Sequence, residues 1–172
     1  MRLIEFIHQG GTIMYILLLI NIIGMAMMVY KFLMFSNVGK NTASISSELA
    51  NKLSTDNANK DQATQMEMCR QELNTYISSV EKGLNTVKII ASVSPLLGLL
   101  GTVIGVLSAF QVISQTGLTN PSNFAEGISM ALITTVGGLI VAIPHYVGHN
   151  YLLGMLDNVE GKLEKEIFSK VL

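Results

Sequence analysis

Three long stretches of this chain carry no formal charge. No Asp, Glu, Lys or Arg lies between Glu5 and Lys31, between Lys88 and Glu126, or between Glu126 and Asp157. A helix that crosses a bilayer needs about 20 mostly apolar residues, at about 1.5 Å rise each over about 30 Å of hydrocarbon. All three stretches are long enough. A soluble core helix of this length would show a charged face. The composition agrees: 49% of the 172 residues are hydrophobic and 13% charged, where about 25% charged is ordinary for a globular domain. The expected fold class is therefore an all-α integral membrane protein with three transmembrane helices. The net charge of −1 offers nothing to nucleic acid. With Cys69 the one cysteine, no intrachain disulfide can form.

The first span is expected from about Thr12 to Met34. Its apolar run is too long for a cleaved signal peptide and no small-residue cleavage pattern follows it, so it reads as an uncleaved anchor. The second is expected from about Ile89 to Gln115, with Gly117 placed to stop it. The third starts after Thr119-Asn120-Pro121-Ser122 and reaches about Leu152, with Asn123 and Glu126 spaced as a capping box. The expected divisions are 1–35 (N-terminal segment and first span), 36–88 (a cytoplasmic helical loop), 89–117 (second span), 118–123 (a short periplasmic loop), 124–152 (third span) and 153–172 (a cytoplasmic helical tail).

Positive charge sets the orientation. From Lys31 at the inner end of span one, Lys40, Lys52, Lys60, Arg70, Lys82 and Lys88 follow before span two, and Lys162, Lys165 and Lys170 follow span three. Lys and Arg stay on the cytoplasmic side. The N-terminus is then periplasmic and the C-terminus cytoplasmic, with Arg2 a weak dissent. Met66, Cys69, Leu73, Ile77, Val80, Leu84 and Val87 recur every three or four residues, a helical stripe expected to enter span two without a breaker. Leu156, Val159, Leu163, Ile167 and Val171 prolong span three in the same way. The apolar stripes of both extended helices must then be buried in a cytoplasmic helical bundle, against each other or a neighbouring subunit. Segment 36–62 is more polar and reads as a linker around a weak amphipathic turn near Ile45 and Leu49.

Small residues line one face of each later span: Ser94, Gly98, Gly101, Gly105 and Ala109 in the second, Gly127, Ala131, Thr135, Gly138 and Ala142 in the third. Such spacing lets helix backbones approach closely. It is read either as packing within one chain or as packing in a multi-subunit ring whose lumen the remaining small and hydroxyl residues line. Span one, richer in Leu, Ile and Met, suits lipid. Thr102 and Thr135 fall near mid-span on the small-residue sides. A lone membrane threonine is usually silent, its hydroxyl returned to the i−4 carbonyl of its own helix. Two together invite a function.

Ser94-Pro95-Leu96-Leu97-Gly98-Leu99-Leu100-Gly101-Thr102-Val103-Ile104-Gly105 resembles the (A/S)P-x-x-GL-x-GTV-x-G pattern of the MotA/TolQ/ExbB family. Gly127-Ile128-Ser129-Met130-Ala131-Leu132-Ile133-Thr134-Thr135-Val136-Gly137-Gly138-Leu139-Ile140-Val141-Ala142-Ile143-Pro144 resembles its GI-x-x-AL-x-TT-x-GL-x-x-AIP. The resemblance covers residues 89–152, and the short cytoplasmic loop brings it nearer ExbB and TolQ than MotA. It implies a homo-oligomeric ring, typically pentameric, in the bacterial inner membrane. It further implies a one-span ExbD- or TolR-like partner with a membrane aspartate in the lumen, and proton flow doing work on a TonB- or TolA-like protein. The family's two pore threonines fall on Thr102 and Thr135. The chain departs at Met130, where ExbB and TolQ proteins commonly carry glutamate. Glu126, one turn earlier, is read as a cap.

Apart from Glu126 at the outer end of the third, no acid is present in the spans. A threonine hydroxyl donates and accepts a hydrogen bond but holds no charge near neutral pH, so the titrating carboxylate would come from another polypeptide. An ion at mid-membrane costs about 3 kcal/mol or more, and the membrane potential supplies about 2.3 kcal/mol per charge per 100 mV. His145 and His149, spaced i, i+4, lack an evident third metal ligand. They read as interfacial histidines that could tune proton exit. Asn21 is expected to make a helix-packing hydrogen bond, Pro144 to kink the third helix, and Cys69 to sit in the buried stripe. No nucleophile–base pair, phosphate loop or metal cluster is evident, so neither an enzyme nor a cofactor is expected. Two other functions remain: a non-conducting membrane scaffold, which would tolerate valine at both threonines, and a flagellar-type stator, which should have a larger cytoplasmic domain.

Overall fold

The computed structural model describes residues 3–56, 62–117 and 122–171. All regular structure among them is helical: α1 (Leu3–Gln9), α2 (Gly11–Lys40), α3 (Thr42–Asp56), α4 (Gln62–Glu81), α5 (Leu84–Thr116) and α6 (Ser122–Val171). Helices α2, α5 and α6 are each long and apolar enough to cross a membrane. Only 22% of the most apolar window of α2, and 22% of that of α5, is buried within the chain, against 39% for α6. Helix α6 therefore buries the largest share of the three.

The chain divides into two compact units, Met1–Met27 with Thr86–Gly148, and Met28–Asn85 with His149–Leu172. In the first, Ile13 and Leu17 of α2 meet Ile90 of α5 and Val141 of α6 in a small apolar cluster. Around it the surface is oily. Leu96, Leu99, Val103, Leu107 and Phe110 of α5, and Leu132, Ile140, Ile143 and Val147 of α6, are exposed. An apolar exterior of this extent suits lipid or a neighbouring subunit rather than water.

The second unit is a helical bundle with a larger core. Phe35, Leu49, Cys69, Leu73, Ile77, Val80 and Leu84 pack with Leu152, Leu156, Val159, Leu163 and Ile167. Both stripes expected from periodicity contribute, Cys69 among them. Two expectations need correction. Residues 42–56 are the helix α3, not linker; Leu49 is buried and Ile45 packs against the core. Its polar residues do not break it, because Thr42 donates to the Gly39 carbonyl at 3.1 Å, and Ser46 and Ser47 to that of Ala43 at 3.0 and 2.8 Å. Ser46 also lies 2.9 Å from Glu166 Oε2.

The stripe through 66–87 does have a breaker. Gly83, at φ 96°, separates α4 from α5, in backbone space that other L-residues rarely enter. Lys31 closes this joint from α2. Its buried ammonium donates to the Val80 carbonyl in the last turn of α4 at 2.7 Å and lies 5.8 Å from the Phe35 ring centroid. A cation at a helix C-terminus meets carbonyls that have no intrahelical donor. Gly117, at φ 70°, ends α5 as its place in the sequence suggests. Helix α6 continues through Pro144. The cap expected of Asn123 falls on a side chain outside the described ones, as does the loop at 118–121; Glu126 is exposed.

Candidate functional site

The small residues of the two later spans meet inside the first unit, between α5 and α6 of one chain. A Cβ at Gly98 would lie 2.8 Å from the Thr134 carbonyl oxygen, one at Gly105 2.6 Å from that of Gly127, and one at Gly127 2.7 Å from that of Gly105. A Cβ at Gly138 would lie 2.6 Å from the Ser94 oxygen and 3.1 Å from Gly98 Cα. Every obstacle is backbone or an alanine Cβ, so nothing can rotate aside. Gly101 is closed by the Thr134 side chain. Ser94, Ala109, Ala131 and Ala142 are buried along the same seam. The Ser94 hydroxyl returns to the Ile90 carbonyl at 2.7 Å, which hides its polarity.

This close approach sets Thr102 against Thr135. Their hydroxyl oxygens are 2.5 Å apart. Thr102 Oγ1 also reaches the Ala131 carbonyl at 3.1 Å and its own Gly98 carbonyl at 3.3 Å. Thr135 Oγ1 lies 3.4 Å from the same two carbonyls. Each hydroxyl has one proton to give and two lone pairs. One proton fills the Thr–Thr bond, and the other is held by a carbonyl. What the half-buried pair can present to a third group is therefore lone pairs. To donate to an outside carboxylate it must first release a carbonyl.

Thr134 completes the cluster. It is fully buried, and its hydroxyl lies 3.0 Å from the Ala131 carbonyl and 3.1 Å from that of Met130. The sequence reading singled out its neighbour alone; the signal was the i, i+3 step from Ala131, which puts Thr134 on the packing face. Met130 is half-buried, and its sulfur would lie 3.6 Å from a Cβ at Gly11.

A model of the MotA/TolQ/ExbB proton channel family matches residues 32–165. The chain belongs to this family. Relatives within it include the biopolymer transport protein exbB1 of Vibrio cholerae, 41% identical over 83 residues, 48% of this chain and 36% of that protein. The biopolymer transport protein ExbB of Aquifex aeolicus is 42% identical over 72 residues, 42% of this chain and 49% of that protein. The Tol-Pal system protein TolQ of Haemophilus influenzae is 38% identical over 88 residues, 51% of this chain and 39% of that protein. The chain thus spans less than half the length of these relatives. MotA/TolQ/ExbB membership and three helices fit to cross a bilayer make it a multi-pass membrane protein.

Two other expectations are corrected within this MotA/TolQ/ExbB chain. His145 does not reach the chain's surface as an exposed interfacial side chain would: it is fully buried, with Nδ1 2.7 Å from the Val141 carbonyl. Pro144 next door turns outward, and His145 shares the inward face with Val141, one turn back. His149 falls in the second unit. Asn21 is half-buried and hydrogen-bonds to none of the described residues through its side chain. Among the described residues no three His, Cys, Asp or Glu side chains come together as a metal site.

Proposed function

We propose that this chain is the channel-forming subunit of a proton-driven motor of the ExbB/TolQ kind in the bacterial inner membrane. It would couple the proton motive force to work on a TonB- or TolA-like envelope protein, for example to energise transport across the outer membrane. The observation that carries the reading is the contact between Thr102 and Thr135, two hydroxyls from different spans brought together on a backbone-to-backbone seam. A packing role alone would be met by valine. The subunits would form a ring, a pentamer by family likeness, with α2 toward lipid and the oily faces of α5 and α6 toward neighbours and the lumen. A one-span ExbD- or TolR-like partner would bring the carboxylate that the spans lack. The hydroxyl pair would then trade a carbonyl for that carboxylate when it ionises, a bond worth about 1.5–3 kcal/mol. The N-terminus would face the periplasm and the helical bundle of the second unit the cytoplasm.

The test is complementation of an ExbB- or TolQ-deficient strain with the cognate one-span partner supplied. Thr102→Val and Thr135→Val should each assemble and abolish energised function, because valine keeps the shape and removes the hydroxyl. Thr102→Ser should restore it. Normal function of both valine variants at equal assembly would leave a scaffold as the better reading.

A further inference from the structure

His145 Nε2 is the one buried side-chain nitrogen or oxygen among the described residues with no hydrogen-bond partner. The opposite ring nitrogen fixes the tautomer. Val141 presents a carbonyl oxygen, which only accepts, so Nδ1 must carry a proton. Nε2 then holds either a lone pair or a second proton, and meets a partner in neither state. A buried polar atom left so costs free energy that an apolar side chain of similar size would not. An ionisable side chain inside a span is by default a functional candidate.

The surroundings say what keeps Nε2 closed. A Cβ at Gly24 of α2 would overlap Nε2 itself, and would lie 2.6 Å from His145 Cδ2 and 2.9 Å from Ile90 Cδ1. Glycine at 24 therefore lets α2 close over the ring edge, with Ile90 of α5 beside it. Neither neighbour titrates. The nearest charged group along α5 is Lys88 and the nearest titratable group along α6 is Tyr146, both exposed. On α2 of the first unit the one titratable group is Tyr15, exposed and bonded to His8. The contact with α5 and α6 differs from their own seam. Met14 of α2 reaches Gly137 through its flexible thioether end, whereas α5 and α6 touch by backbone. At Gly137, then, α2 is held by a side chain that can change its shape, whereas the α5–α6 seam has no such freedom.

We propose that Nε2 of His145 is a proton-binding site on the conducting path, loaded and unloaded when α2 moves off the ring at Gly24. The proposal rests on the proton-conducting reading above. In the open position a hydronium ion from water reaching the ring along α5 and α6 at their cytoplasmic ends gives its proton to the Nε2 lone pair and leaves as water. The ring becomes an imidazolium that keeps its Nδ1 bond to Val141. The return step passes the Nε2 proton to water, with no change in oxidation state.

The experiment uses the full chain co-assembled with its one-span partner in liposomes, with internal pH followed by a dye. His145→Asn keeps a side-chain donor for Val141 but has no basic nitrogen. Proton flux should fall at least tenfold with assembly unchanged. In the same complex, ¹⁵N-histidine spectra of the wild type should show one Nε2 resonance moving between its unprotonated and protonated ranges as pH is changed, and absent in the variant. Wild-type flux in His145→Asn would overturn the proposal while leaving the motor reading intact. An Nε2 resonance fixed in one range across the titration overturns it too, and decides the matter where the variant does not assemble. A wild-type complex that conducts no protons would instead defeat the motor reading and the proposal with it.

Discussion

Adding one methyl group at Gly138 tests the backbone seam most directly. The new Cβ would sit 2.6 Å from the Ser94 carbonyl oxygen and 3.1 Å from Gly98 Cα, where optimal contact lies at about 3.5–4.0 Å. With backbone on the far side, α5 and α6 must separate by roughly an ångström, which forfeits a quarter to a half of the dispersion at each contact. Overpacking of this kind costs about 1–3 kcal/mol, and the absence of any rotatable neighbour argues for the upper half. Alanine returns about 1 kcal/mol of helix propensity. Gly138→Ala should therefore destabilise the protein by about 1–2 kcal/mol. Gly154, in the same helix, has nothing within 4 Å of its would-be Cβ, so Gly154→Ala keeps the propensity gain and should stabilise by about 0.5–1 kcal/mol. The assay is reversible unfolding in mixed micelles, with the difference between the two variants as the readout. Equal stabilities would refute the claim that this seam is closed by backbone.

Lys31→Met should keep the packing over Phe35 but leave the Val80 carbonyl without its donor, costing about 1–3 kcal/mol in the same unfolding assay. Burial pushes the Cys69 thiol above its ordinary range, so its maleimide labelling near neutral pH should be far slower than that of a cysteine at exposed Ser78. The same shift favours the folded state at low pH and loses that contribution as pH rises through the raised value, because the folded chain binds the proton more tightly. A mutant with Cys69→Ser should show a flatter fall in stability on the alkaline side. Glu126→Gln should retain activity in complementation at equal expression, as a capping residue would; loss as severe as for Thr135→Val would put Glu126 in the proton path.

The three membrane helices were legible because exclusion of charge is a property of composition along the chain, and α2, α5 and α6 each show it. The pairing of α5 with α6 was legible too, since glycine and alanine at helical spacing leave few other uses in an apolar segment. What the pattern left open was which copy of the chain supplies the facing helix. Polar residues that act across long sequence separations stayed hidden. Lys31 looked like one more cytoplasmic charge until Val80 stood beside it, and His145 looked interfacial because Gly24, the residue that admits its ring, lies far back on α2. Helix α3 was missed for a local reason. Its Ser and Thr residues suggest turns, and only their bonds back to Gly39 and Ala43 show that they are satisfied within a helix.

The Ala131 carbonyl oxygen is oversubscribed. One of its lone pairs serves the helix's own amide, yet Thr102, Thr134 and Thr135 all stand within 3.4 Å of it. At most one of three hydroxyl protons can be seated there well at a time, while Met130 and Gly98 offer alternative seats to the others. The cluster has several arrangements that differ only in which O–H points where, with every heavy atom in place. Such degeneracy resembles the proton disorder of ice. Because Thr102 and Thr135 are bonded to each other, turning one of those hydroxyls turns the other, and the pair can change its outward polarity without any helix moving.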